Sequence, residues 1–94
     1  MACANCDSLP RRREIRVPND LREMIRVASE AIAAGHLREL PERADPDSGP
    51  FANVAAGGPW GDFVGYAFKC TGCGNSFRIQ AETYHGRGGF WSIG

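Results

Sequence analysis

Apolar residues recur along this chain with two different periods. In NDLREMIRVASEAIAAG, residues 19–35, Leu21, Met24, Ile25, Ala28, Ala31 and Ile32 fall at the three- and four-residue steps of a helix. Arg22, Glu23, Arg26 and Glu30 take the opposite face, with Arg26 and Glu30 four apart. Asp20 followed by Glu23 has the spacing of a capping box, Asn19 is a rival cap, and Gly35 is a natural stop. The pattern predicts one amphipathic helix over 19–35, with the apolar stripe as its core face.

Elsewhere the period is two. Val64, Tyr66 and Phe68 alternate with smaller or polar residues before KCTGCG, and Phe77, Ile79 and Ala81 alternate after it. These arms predict a β-hairpin with the Cys70–Cys73 turn at its tip. A short strand is expected at Arg13–Val17, where Ile15 and Val17 alternate with Glu14 and Arg16 and Pro18 closes the run. Residues 36–40 read as a turn or short strand. Residues 40–62 hold four prolines and four glycines and read as a loop, pinned in places by Phe51, Val54 and Trp60. The tail HGRGGFWSIG follows the hairpin. The fold class is therefore α+β: about three antiparallel strands with one inserted helix.

Composition narrows the picture. Ninety-four residues, with 12 glycines and 6 prolines, read as a single domain over 1–94 with a thin core, the kind of scaffold that gains from a staple. The formal net charge is zero, unevenly spread. Residues 1–17 carry four arginines against two acids, residues 18–62 four against eight, and residues 63–94 three cations against Glu82. No apolar run approaches the roughly 20 residues of a membrane span. Cys3 and Cys6 stand where a signal peptide would need its apolar stretch, so a cytoplasmic location is expected.

In that compartment thiols stay reduced, and paired cysteines favour metal over disulfides. All four cysteines lie in two C-x-x-C pairs, Cys3/Cys6 and Cys70/Cys73. Each turn presents two sulfurs to one ion, two turns complete a tetrahedral shell, and a long intervening segment costs little because loop closure grows only logarithmically with length. The two pairs are expected at adjacent strand ends. A redox pair would need a helix directly after the cysteines, and Leu9-Pro10 and Asn75-Ser76-Phe77 follow instead. Iron suits four thiolates as well, but zinc is the expected ion, structural and without an open position.

Cys70-Thr71-Gly72-Cys73-Gly74 resembles the C-x-x-C-G knuckle of the zinc-ribbon and rubredoxin-like class. The resemblance implies a left-handed Gly74 whose amide reaches a sulfur. Cys3-Ala4-Asn5-Cys6-Asp7 matches the pair with Asp for the glycine, which implies a less regular first knuckle. The helix and loop of 19–62 would be an insertion foreign to that class.

The remaining chemistry is sparse. Glu82, Thr83, Tyr84 and His85 form a polar cluster that reads as a strand end entering a glycine turn, and catalysis is not expected. The run from Cys70 through Glu82-Thr83-Tyr84-His85-Gly86 to Gly88-Gly89-Phe90-Trp91 is similar to tails of small bacterial toxin-immunity proteins. That similarity implies binding to a protein without chemistry. The expected partner surface is Trp60, Tyr84, His85, Arg87, Phe90 and Trp91. The alternative is a nucleic-acid surface built from Arg11, Arg12, Arg13, Lys69, Arg78 and Arg87, which arginine–phosphate contact would favour.

Overall fold

The structure is a computed structural model describing residues 6, 9–57, 60–84 and 86–93. Strand β1 spans Arg12–Ile15, helix α1 Pro18–Ala33, β2 Leu37–Glu39, a short helix α2 Phe51–Ala55, β3 Phe63–Cys70, β4 Ser76–Glu82 and β5 Gly88–Ile93. The five strands form one antiparallel sheet in the order β1-β5-β4-β3-β2, which confirms the α+β class and corrects the expected strand number from about three to five.

Helix α1 is the predicted one, begun a residue earlier. Pro18 occupies the first turn, where its missing N–H costs nothing. Asp20 is not the cap. It sits at the third helical position and reaches back, its Oδ2 accepting from the amides of Arg16 at 3.0 Å and Val17 at 3.3 Å. At the other end Gly35, at φ +79°, lets its amide donate to the Ile32 carbonyl and that of His36 to Ala31, which closes the last turn. The stripe Leu21, Met24, Ile25, Ala28 and Ala31 is buried, as expected. Each of its larger side chains contributes about 1.5–3 kcal/mol by leaving water.

Those amide bonds hold the Asp20 carboxyl below the usual range, with help from the Arg13 and Arg16 guanidiniums. A depressed carboxylate stabilises the fold above its unfolded-state pKa, and the gain is lost as pH falls through the folded value. Asp20→Asn is therefore expected to lower the melting temperature at neutral pH. The gap from wild type should close as both are titrated into the acid range, as followed by circular dichroism.

The stripe packs on one face of the sheet. Ile15, Val64, Tyr66, Phe68, Phe77, Ile79, Ala81 and Trp91 line that face, joined by Phe51 and Val54 of α2. Phe51 meets Tyr66 and Phe68 edge-on, both at 5.1 Å, and Trp91 stacks on Phe68 and Phe77 at 5.9 and 5.5 Å. The predicted hairpin alternation holds on both arms. Val17 does not share the core face with Ile15: β1 ends at Ile15, and Val17, the residue before the helix, is 53% exposed.

The expected 40–62 loop is partly regular. Short 3-10 turns at Pro41–Arg43 and Pro46–Ser48 precede α2. This segment continues along the β3 edge beyond the three-residue β2. The Leu40 amide donates to the Ala67 carbonyl at 2.8 Å and the Asp45 amide to Gly65 at 2.9 Å, while the Gly65 amide donates to Ser48 Oγ at 2.8 Å. Prolines cannot complete a strand here, but the segment still satisfies an edge that would otherwise be open. No helix is long and apolar enough to cross a membrane among the described residues.

Candidate metal centre

Three thiols converge at one end of the sheet. Cys70 ends β3, and Cys73 lies in the turn to β4. Cys6 reaches them through register. Arg12 aligns with Ser92 and Ser92 with Arg78, two residues into β4, so the chain before Arg11 runs out at the end of the sheet that carries the β3–β4 turn. Trp91 Nε1 donates to the Pro10 carbonyl at 2.7 Å and pins this approach. The two cysteine-bearing strand ends share one end of the sheet as expected, but they are not adjacent, because β5 lies between β1 and β4.

The sulfurs of Cys6, Cys70 and Cys73 all lie within 4.8 Å of one another, and those of Cys6 and Cys73 are 3.7 Å apart. A tetrahedral ion with metal–sulfur arms of about 2.3 Å sets its sulfurs about 3.8 Å apart. The donor set therefore fits a thiophilic metal. Cys6 and Cys70 are buried, Cys73 is exposed, and none of the three is in a disulfide. Cys3, the expected fourth ligand, lies outside the described residues.

The second knuckle is built from backbone. The Gly74 amide donates to the Cys70 carbonyl at 3.0 Å and the Cys70 amide to the Asn75 carbonyl at 2.8 Å, with Gly74 at φ +80°. The left-handed glycine is as expected. The amides that reach the Cys70 sulfur, however, are those of Gly72, at 3.4 Å, and Cys73. Thr71 ties the turn to the end of α1: its Oγ1 donates to the Gly35 carbonyl at 2.6 Å and its amide to that of His36 at 3.0 Å. Nothing in the C-x-x-C spacing signals this anchor.

Electrostatics separates the thiols. Burial pushes the Cys6 thiol up to about 12, helped by hydrogen bonds from Cys73 and Cys70. Burial also opposes ionisation of Cys70, but the amides of Cys73 and Gly72 and the neighbouring thiols outweigh it and bring Cys70 down to about 6. Of these two buried thiols, Cys70 is therefore the one whose thiolate the backbone favours.

The expected partner residues divide. Trp91 is corrected to the core: it has no exposure, because Gly89, Trp91 and Ile93 face the helix while Phe90 and Ser92 face away. Phe90 is 42% exposed beneath the Arg12 guanidinium, which stands 4.4 Å above its ring. Tyr84 is 70% exposed and Arg87 exposed at the end of the sheet far from the cysteines, and His85 lies outside the described residues. Half-buried Trp60, with Arg22 at 5.2 Å from its ring, borders a cleft of about 130 Å³ shared with Val17, Leu21, Thr83 and Gly86. Trp60 and the 82–88 turn are therefore neighbours.

The expected nucleic-acid set also divides. Arg13 lies on the helix-facing side, bonded to Glu23 at 2.8 Å and 3.5 Å from Asp20, so it ties β1 to α1. Arg12, Lys69 and Arg78 share the opposite face, exposed Arg11 precedes β1, and Arg87 is at the far end. Comparison with known protein families, curated proteins and solved structures finds no match to this chain.

Proposed function

We propose that this chain is a non-enzymatic protein-binding module stapled by one structural zinc ion, with Cys3, Cys6, Cys70 and Cys73 as the shell. The convergence of three sulfurs at tetrathiolate spacing carries this reading. A four-thiolate shell leaves no position for water or substrate, so the ion acts on the fold. Zinc is favoured over iron because it is the usual ion of such knuckles, on which the zinc-ribbon resemblance also rests.

The partner is a protein, and its surface is the end of the molecule away from the metal. There Trp60, exposed Val17, Thr83 and Gly86 line one cleft, and exposed Tyr84 and Arg87 stand in the same 82–88 turn. Aromatic and arginine side chains of this kind dominate protein interfaces. A toxin-neutralising partner of the immunity type is the form implied by the tail's resemblance, and a cytoplasmic setting suits the reduced thiols. A nucleic-acid role is weaker, because Arg13 is engaged with acids and Arg87 lies apart from the other cations.

Elemental analysis of protein purified without added metal is expected to find about one zinc per chain. Metal-free protein that stays folded overturns the staple, and a coloured iron-bearing protein overturns the choice of ion.

A further inference from the structure

The three described thiols are unequally placed. Cys6 and Cys70 are only 8% and 2% exposed, whereas Cys73 is exposed on the turn between β3 and β4. An oxidant arriving from solvent therefore meets Cys73 first. Its two neighbours differ as well. The Cys70 sulfur is held by the amides of Gly72 and Cys73. Among the described residues no amide holds the Cys6 sulfur, which faces that of Cys73 at 3.7 Å.

The fold delivers both sulfurs to this position. Thr71, bonded to the Gly35 and His36 carbonyls, and left-handed Gly74 fix the turn that carries Cys73. The Trp91 indole on the Pro10 carbonyl and the Leu9 amide on the Cys6 carbonyl, at 2.7 and 3.0 Å, fix the approach of Cys6. A disulfide bond is about 2.05 Å long, so sulfurs 3.7 Å apart must close by about 1.7 Å, a displacement that rotation of the exposed Cys73 side chain supplies.

We propose that Cys73 is a peroxide-oxidation site and Cys6 its resolving thiol, so that the metal staple is exchangeable for a Cys6–Cys73 disulfide. This regulation rests on the metal reading above, because a metal ligand is kept as the thiolate, the form that reacts. In the first step the Cys73 thiolate attacks one oxygen of hydrogen peroxide. The S–O bond forms, the O–O bond breaks, and the departing hydroxide takes a proton to become water, leaving a sulfenic acid. The Cys6 thiolate then attacks that sulfur. The S–S bond forms, the S–O bond breaks, and the second hydroxide leaves as water. Two thiolates have lost two electrons, and peroxide with two protons from solvent has become two waters.

An exposed thiol beside a buried resolving one is the arrangement of a reversible sensor, since the disulfide forms before the sulfenic acid is oxidised further. Loss of two sulfurs halves the shell, and the ion departs. The cross-link spans 67 residues and ties together the same two parts of the chain that the ion held. A disulfide within either C-x-x-C pair would close only a tight turn and constrain little. Oxidation thus releases zinc and leaves the fold stapled.

Hydrogen peroxide added to folded wild-type protein, with a chromogenic chelator present, is expected to release the zinc while about two of the four thiols disappear. Digestion and fragment mass spectrometry should place the cross-link at Cys6–Cys73. The oxidised protein should keep its near-ultraviolet dichroism, unlike protein stripped of metal by a chelator alone, and a dithiol reductant with added zinc should restore the starting state. A disulfide within either C-x-x-C pair overturns the proposal. So do a sulfinic acid at Cys73 without a cross-link, thiols that peroxide leaves intact, and an oxidised protein that unfolds as the chelated one does. Elemental analysis before treatment keeps the two readings apart: protein without metal that still forms the Cys6–Cys73 bond loses the zinc and keeps the oxidation site.

Discussion

Cys70→Ser is expected to cost the protein both its metal and its cooperative melting. Cys70 is the buried hinge of the second knuckle, its sulfur held by two amides and its carbonyl by Gly74. Serine keeps the backbone geometry but offers a poor ligand for a thiophilic ion. If the site binds zinc as proposed, the apparent binding energy it contributes to folding is on the order of 10 kcal/mol or more. That is comparable to the whole stability of a domain this size, about 5–15 kcal/mol. The variant should contain no stoichiometric zinc and lose its near-ultraviolet dichroism, and wild type treated with a strong chelator should behave the same way. A Cys70→Ser protein that melts like wild type would sink the structural role of the metal.

Trp91→Ala is the second large effect. The side chain is fully buried, stacked against Phe68 and Phe77, and its indole N–H meets the Pro10 carbonyl. Truncating a buried aromatic costs about 3–5 kcal/mol in lost transfer energy and cavity. Denaturant titration should show a midpoint greatly lowered or no folded baseline. Trp91→Phe separates the two contributions: it keeps most of the packing and gives up one hydrogen bond, about 1 kcal/mol. Because Pro10 leads into the cysteine segment, Trp91→Phe should also weaken metal retention against a chelator. If Trp91→Ala leaves stability unchanged and the residue instead alters partner binding, its placement in the core is wrong.

The helix was legible in the sequence because its stripe and its glycine stop are both local signals. The hairpin was legible for the same reason, its alternation running unbroken over both arms. Strand β5 was not. Gly86, Arg87, Gly88 and Gly89 read as a turn, since glycine lacks strand propensity. The structure shows why glycine is required there: a Cβ on Gly88 would run into the Ile15 carbonyl and one on Gly89 into the Gln80 carbonyl. Close backbone approach, set by two other strands, decides the element. The same omission displaced Trp91, although alternation of Gly89, Trp91 and Ile93 against Phe90 and Ser92 is present in the tail. Meeting of the cysteine pairs at one end was legible, but the route was not, because it depends on β5 lying between β1 and β4. The anchor at Thr71 arises only from tertiary register.

Because β1 pairs with β5 alone, the sheet cannot assemble in chain order. During synthesis Cys6 is made before residues 88–93, and the strand that follows it has no neighbour to join until they have been added. Until then the first cysteine pair is an uncommitted thiol site, open to oxidants and to competing metals. A stalled or truncated chain ending before Gly88 would keep α1 and the hairpin but lose β5, the strand against which β1 brings Cys6 to its partners. Quality control could tell such a chain from the finished one by the reactivity of that thiol.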